Sequence, residues 1–154
     1  IIPTFVSEKK YMILYGYSGR FSKDECREIR SYARAKGLQV ICIGGVQNVC
    51  DKFVDCNPFE VIAYFNNAEC VVTDTFHGCV LSLITQREVA VKLRDNSNKL
   101  LNLLQEYKIE DRIIDDNWEL SKIFANKENQ EYIAQEITRR RHHSMEYLTN
   151  RINA

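Results

Sequence analysis

No stretch of this 154-residue sequence approaches the roughly 20 consecutive apolar residues that a membrane-spanning helix needs. Its opening residues, Ile1-Ile2-Pro3-Thr4, do not form a signal peptide, and they begin as if cut from something longer. Net charge is missing too, since 21 Lys plus Arg balance 21 Asp plus Glu. No global field therefore draws in nucleic acid or an anionic membrane, and any anion site has to be local. The six cysteines, Cys26, Cys42, Cys50, Cys56, Cys70 and Cys79, include no C-x-x-C pair and no histidine cluster of zinc type, which argues against a structural metal. Cys42 and Cys70 fall inside apolar runs, where a reduced cysteine behaves as a small hydrophobe, so the expected setting is reducing and cytoplasmic. No G-x-G-x-x-G follows a strand-like run, which removes the dinucleotide fingerprint. No acidic pair ends the first such run, where Tyr15-Gly16-Tyr17 stands, so a magnesium-holding phosphoacceptor domain is disfavoured.

What is present alternates between two periods. With 45% hydrophobic residues, the chain has enough apolar material for one well-buried domain and too little length for two. Strands are predicted at Tyr11 to Gly16, Val40 to Ile43, Glu69 to Thr73 and Glu88 to Leu93, each a nearly unbroken apolar run. Between them, Ser22-Lys23-Asp24-Glu25 reads as a capping box ahead of Cys26, Ile29 and Ala33, and Gly37 as the stop. Asn57-Pro58-Phe59-Glu60 opens a second helix with an N-cap, a proline at the first helical position and a glutamate at the third. A short helix is expected over Gly78 to Ile84, another capped by Ser97 with Leu100, Leu101, Leu104 and Tyr107, and another capped by Asn117 with Trp118 and Phe124. A long helix runs through Ile133, Ile137, Tyr147, Leu148 and Ile152. Apolar strands alternating with helices imply an α/β, Rossmann-like three-layer sandwich with a mainly parallel sheet. Ligands bind such sheets at the carboxyl ends of the strands, so the turns at Gly16 to Arg20, Gly44 to Val46, Thr73 to Gly78 and Lys92 to Asn96 should share one rim.

The chemistry concentrates in Thr73-Asp74-Thr75-Phe76-His77-Gly78. A buried strand here delivers two hydroxyls, a carboxylate and an imidazole to a helix N-terminus, whose free N–H groups favour an anion. Gly78 would let a ligand approach the backbone. Asp74 and Thr75 could also do no more than cap the helix. Arg20, Lys92 and Arg94 lie on turns of the same rim, and Arg20 comes first because it follows the flexible Tyr17-Ser18-Gly19. Gly44-Gly45 either admits donor atoms or makes a tight turn. Glu60 is most simply a capping residue, and Asp111-Arg112 a local ion pair. The run Arg139-Arg140-Arg141-His142-His143 points all round its helix and reads as a solvated or interdomain surface.

Together with Pro58-Phe59-Glu60 before it and Ser82 after it, the Thr73 to Gly78 segment resembles the signature of the polysaccharide pyruvyl transferase family. Similarity continues more weakly through Ser97 to Arg112 and the last helix. Thr75 stands where Ser is commoner, and Leu81 where an aromatic is often found. Ile2-Pro3-Thr4-Phe5 resembles the end of the linker between the family's halves, so residues 1–10 are expected to close that linker and 11–154 to form a donor-binding domain. The resemblance implies the C-terminal half of a GT-B-like transferase that moves the enolpyruvyl group of phosphoenolpyruvate onto two hydroxyls of a glycan or lipid-linked saccharide, forming a pyruvate ketal in exopolysaccharide or cell-surface polysaccharide biosynthesis. No cofactor and no metal ligand is expected. His77 would be catalytic, as general acid or phosphate ligand, because histidine titrates near neutrality. Asp74, Thr75, Gly78, Arg20, Gly44, Gly45 and Lys92 would bind the donor. The implied partners are the donor, the acceptor and the N-terminal domain of the same protein. Without that domain, weak donor binding and no turnover are expected. A GT-B glycosyltransferase using a nucleotide sugar, and a non-catalytic glycan- or anion-binding half, are the alternatives.

Overall fold

A computed structural model describes residues 8–95, 97–117 and 119–153. Ile2 to Phe5 of the expected linker, Asn96 and Trp118 lie outside them.

The strands are β1 (Tyr11–Tyr15), β2 (Gln39–Ile43), β3 (Lys52–Val54), β4 (Cys70–Thr73) and β5 (Val89–Val91), and they pair in the order β3-β2-β1-β4-β5 with every pairing parallel. The helices are α1 (Lys23–Lys36), α2 (Pro58–Asn67), α3 (Phe76–Ile84), α4 (Asn98–Glu106), α5 (Leu120–Ala125) and α6 (Gln130–Ile152), with a 3-10 turn at Glu110–Arg112. Because side chains alternate across a strand, each strand feeds two cores. Tyr11, Ile13, Ile41, Val71 and Val91 pack with Phe65, Cys79, Leu83, Leu104 and Ile133 of α2, α3, α4 and α6. Met12, Leu14, Val40, Val72 and Ala90 pack with Ile29, Ala33, Leu120 and Phe124 of α1 and α5. Those are the three layers that the apolar runs imply.

Local signals account for most boundaries. Ser22 and Asn57 each form a complete capping box, with Glu25 and Glu60 reaching back to the cap N–H, and Gly37 ends α1 at φ 66°. Two caps differ from expectation. The Ser97 hydroxyl accepts from the Arg94 N–H at 2.8 Å and makes no cap bond, although α4 does start beside it. Asn117 donates its N–H to Asp115 in a turn, and α5 begins only at Leu120. β3 is an additional strand, too short and too exposed at Lys52 and Phe53 to carry an apolar run. The reduced reading of Cys42 is corrected: the loop after β2 brings Cys50 back to a Cα separation of 5.7 Å, within disulfide reach, and the two are bonded.

Candidate active site

The strand order sets the site. From β1 the chain moves outward through β2 to β3, then crosses back to lay β4 on the other side of β1. The chain leaves β1 and β4 toward opposite edges of the sheet, which makes their carboxyl ends the switch point at which open parallel sheets take up ligands in a crevice. One lip is Gly16 to Arg20, the other Asp74 to Gly78.

Asp74 lies just past β4 with its side chain wholly buried, and it spans that divide. Its Oδ2 lies 3.0 Å from Arg20 Nε and accepts from Arg94 Nε at 3.1 Å. Arg94 is held further: its two Nη groups donate to Glu25 Oε1 at 2.7 Å and Oε2 at 2.9 Å, and its guanidinium lies over the Phe21 ring at 5.0 Å. Burial alone would raise the Glu25 carboxyl; the hydrogen bonds from Arg94 and the Ser22 N–H, with the charges of Arg94 and Lys92, outweigh it and hold the group below its ordinary value. Two arginines and two carboxylates thus cancel within hydrogen-bonding distance, as buried charges require. Asp74 Oδ1 is buried without a hydrogen-bond partner among the described residues. A Cβ on Gly16 would come within 2.8 Å of it, so the glycine makes room for the carboxylate.

The two arginines therefore differ. Arg94 is fixed on two carboxylates. Arg20, with 39% of its side chain exposed and its guanidinium 5.7 Å from the Tyr17 ring centre, keeps both Nη groups without a partner among the described residues. That is the geometry of an available fork for phosphate or carboxylate.

Across the crevice, Thr73 Oγ1 donates to the Tyr15 carbonyl at 2.8 Å and accepts from the Thr75 N–H, while Thr75 Oγ1 caps α3 by accepting from the Gly78 N–H at 3.0 Å. The helix starts at Phe76 rather than Gly78, which places His77 in its first turn. His77 is exposed, edge-on to Phe76 at 6.0 Å, and its imidazole has no hydrogen-bond partner among the described residues. The Phe76 and His77 N–H groups likewise have no acceptor there, so the helix N-terminus presents two free donors beside the imidazole.

The remaining expected residues have more structural duties. A Cβ on Gly78 would overlap the Thr73 side chain and crowd Tyr15, so its closeness is to its own strand rather than to open space for a ligand. Gly45 presses on the Tyr17 and Ser18 backbone, and Gly44, at φ 84°, completes that tight turn. Lys92 follows β5 with its Nζ 3.9 Å from Asp116 and 15% of its side chain exposed, near enough for its charge to act on Glu25. Arg112 is not merely a local ion pair: it is wholly buried and donates to Glu88, Asp111 and the Asn126 carbonyl at the opposite end of the sheet. The Arg94–Glu25 pair joins residues 69 apart, and only the turn position of Arg94 and the cap position of Glu25 hint at it.

Among the described residues no helix is long and apolar enough to cross a membrane, and no group of three or more His, Cys, Asp or Glu is placed to hold a metal ion.

Comparison with known proteins adds one strong match. The family model for polysaccharide pyruvyl transferase matches residues 4–96, more than half of the chain and inclusive of both lips of the crevice. No curated protein matches the sequence. Among solved structures, the dodecameric iron-containing heptosyltransferase TibC in complex with ADP-D-beta-D-heptose is similar at 11% identity and a TM-score of 0.49, over 58% of this chain and 28% of that one. TibC from enterotoxigenic E. coli H10407 aligns at 11% identity and a TM-score of 0.44, over 58% and 29%. The chain thus spans less than a third of these relatives.

Proposed function

We propose, because this chain belongs to the polysaccharide pyruvyl transferase family, that it is the donor-binding half of a transferase that moves the enolpyruvyl group of phosphoenolpyruvate onto a glycan. The observation that carries this reading is that groups without hydrogen-bond partners among the described residues stand on two neighbouring loops of one rim: the Arg20 Nη groups after β1, and the His77 imidazole with two free N–H donors after β4. Phosphoenolpyruvate carries two anionic groups, and a fork opposite a helix N-terminus suits such a ligand.

In this reading the phosphate lies against the first turn of α3 and the carboxylate against Arg20. A proton passes from His77 to the methylene carbon, an acceptor hydroxyl adds to the carbon that becomes cationic and returns its proton to the imidazole, and phosphate leaves with the electron pair of its C–O bond. A second hydroxyl of the same acceptor then closes the ketal, its proton leaving with the phosphate. Asp74 holds Arg20 in place and touches no reacting atom. Lys92 adds positive charge at the rim. The acceptor and the groups that bind it belong to a second, N-terminal domain facing this one, as in a GT-B arrangement.

The test is kinetic, with His77→Ala and His77→Gln in the full-length enzyme. Loss of a positioned acid lowers kcat by about 10² to 10⁴ with KM for phosphoenolpyruvate little changed. Equal losses in binding and rate would assign His77 to phosphate binding instead, and wild-type rates in both variants would remove it from the site.

A further inference from the structure

Arg20 sits on a loop that should be mobile on its own terms, with Gly19 at φ 70° and Tyr17 to Arg20 largely exposed. The loop is nevertheless fixed from below by the segment after β2. The buried Gln47 side chain, 4% exposed, donates through Nε2 to the Tyr17 carbonyl at 2.6 Å and accepts through Oε1 from the Phe21 N–H at 3.3 Å. One amide thus brackets Ser18, Gly19 and Arg20. Only this orientation of the amide satisfies both partners, since one is a donor and the other an acceptor. Val46 reinforces the clamp, donating its N–H to Ser18 Oγ and accepting from the Gly19 N–H, both at 3.0 Å. Gln47 is itself anchored: its N–H donates to Cys50 Sγ at 3.3 Å, its carbonyl accepts from the Cys50 N–H at 3.1 Å, and Cys50 is bonded to Cys42 at the end of β2.

We propose that Gln47 is a positioning residue for Arg20, fixing the anion-binding fork from outside the crevice without touching the ligand. The inference rests on the donor reading above for what the fork binds, but what Gln47 does to Arg20 stands on the loop geometry. The guanidinium is held by Asp74 and the backbone by Gln47, so the ordering that binding would otherwise have to impose is already complete in the free protein. With the clamp gone, the loop moves, the Arg20 Nε contact with Asp74 no longer keeps one geometry, and the Nη groups lose their fixed direction.

The experiment uses the isotope-labelled chain with Gln47→Met, which keeps the volume and loses both hydrogen bonds, and Gln47→Glu, which keeps the acceptor for Phe21 and sets a carboxylate oxygen against the Tyr17 carbonyl. Two quantities are read: the order of the Arg20 Nε–H vector from its heteronuclear relaxation, and the affinity for phosphoenolpyruvate. Both variants should lose order at Arg20 while Arg94 keeps it, and affinity should fall about tenfold, the change expected for two net hydrogen bonds. Wild-type order at Arg20 in a folded variant overturns the proposal, even if melting temperature falls, because a merely structural residue would lower stability alone. If Gln47→Met does not fold, Gln47→Glu carries the same two readings. If wild type does not bind phosphoenolpyruvate, the donor reading fails by itself, and the order at Arg20 still decides the role of Gln47.

Discussion

At the carboxyl end of the strands, Arg94 is fixed on Glu25 and Asp74 while Arg20 pairs with Asp74 through Nε and stays partly exposed. At the amino end, Arg112 is fully buried among Glu88, Asp111 and the Asn126 carbonyl. The first cluster balances two cations with two carboxylates and leaves part of one cation available. The second sets one cation among three carboxylates, because Glu128 also sits there, its Oε1 accepting from the Val89 N–H at 2.7 Å and its N–H donating to Glu88. Burial, then the charge of Glu88, pushes the Glu128 carboxyl up to about 7 against the pull of Arg112 and the Val89 N–H. The same residue types thus leave part of a cation exposed at one end and build a closed structural joint at the other. The difference lies in exposure and in charge balance.

The comparison breaks most easily at Arg112. Arg112→Ala strands Glu88 and Asp111 beside Glu128, and removing one partner of a buried pair costs about 3–5 kcal/mol. Urea unfolding measures it, and a loss under about 1 kcal/mol would contradict the structural role.

The two ends should also respond oppositely to pH. Glu128 has a folded-state pKa above its unfolded value, so its contribution to stability is complete below about 4.5 and is lost as pH rises through about 7. Relative to wild type, Glu128→Gln should therefore gain stability as pH rises across that window, by up to on the order of 3 kcal/mol. Parallel stability curves for the two proteins would sink the assignment. Glu25 is depressed, so its contribution is present above the ordinary carboxylate value and is lost as pH falls. Glu25→Gln should cost about 1–3 kcal/mol at neutral pH and flatten the acid limb, which a pH series of melting curves would show.

The smallest stability effect belongs to the residue with the largest expected functional one. His77 is exposed and has no hydrogen-bond partner among the described residues, so His77→Ala should change stability by no more than about 0.5 kcal/mol. A larger loss by urea unfolding would give the imidazole a structural task.

Much of this was legible in the sequence where the determining signal is local. Apolar runs located β1, β2, β4 and β5, and the capping residues located α1 and α2. The alternation of strands and helices put the β4–α3 corner at the carboxyl-end rim of the sheet. What escaped depends on contacts between distant segments. Arg94 and Glu25 meet because β5 ends and α1 begins at the same rim, and no short-range pattern separates a guanidinium that is locked from one that is available. Gln47 looks like any loop glutamine until its turn packs beneath the turn after β1. Arg112 follows an acidic neighbour and so mimics a surface pair, although the chain folds over it. Cys42 gave the signal of an apolar strand, and its bond to Cys50 depends on the path of the loop between them.

The central claim is that the crevice between β1 and β4 holds phosphoenolpyruvate, and it is tested most directly by titrating phosphoenolpyruvate into the isotope-labelled chain, with UDP and CMP as controls, and following backbone amide shifts. The account predicts saturable shifts with phosphoenolpyruvate at Thr73 to Gly78 and at Tyr17 to Arg20, weakened in His77→Ala and absent with the nucleotides. Saturable shifts at those residues with a nucleotide, and none with phosphoenolpyruvate, would contradict it.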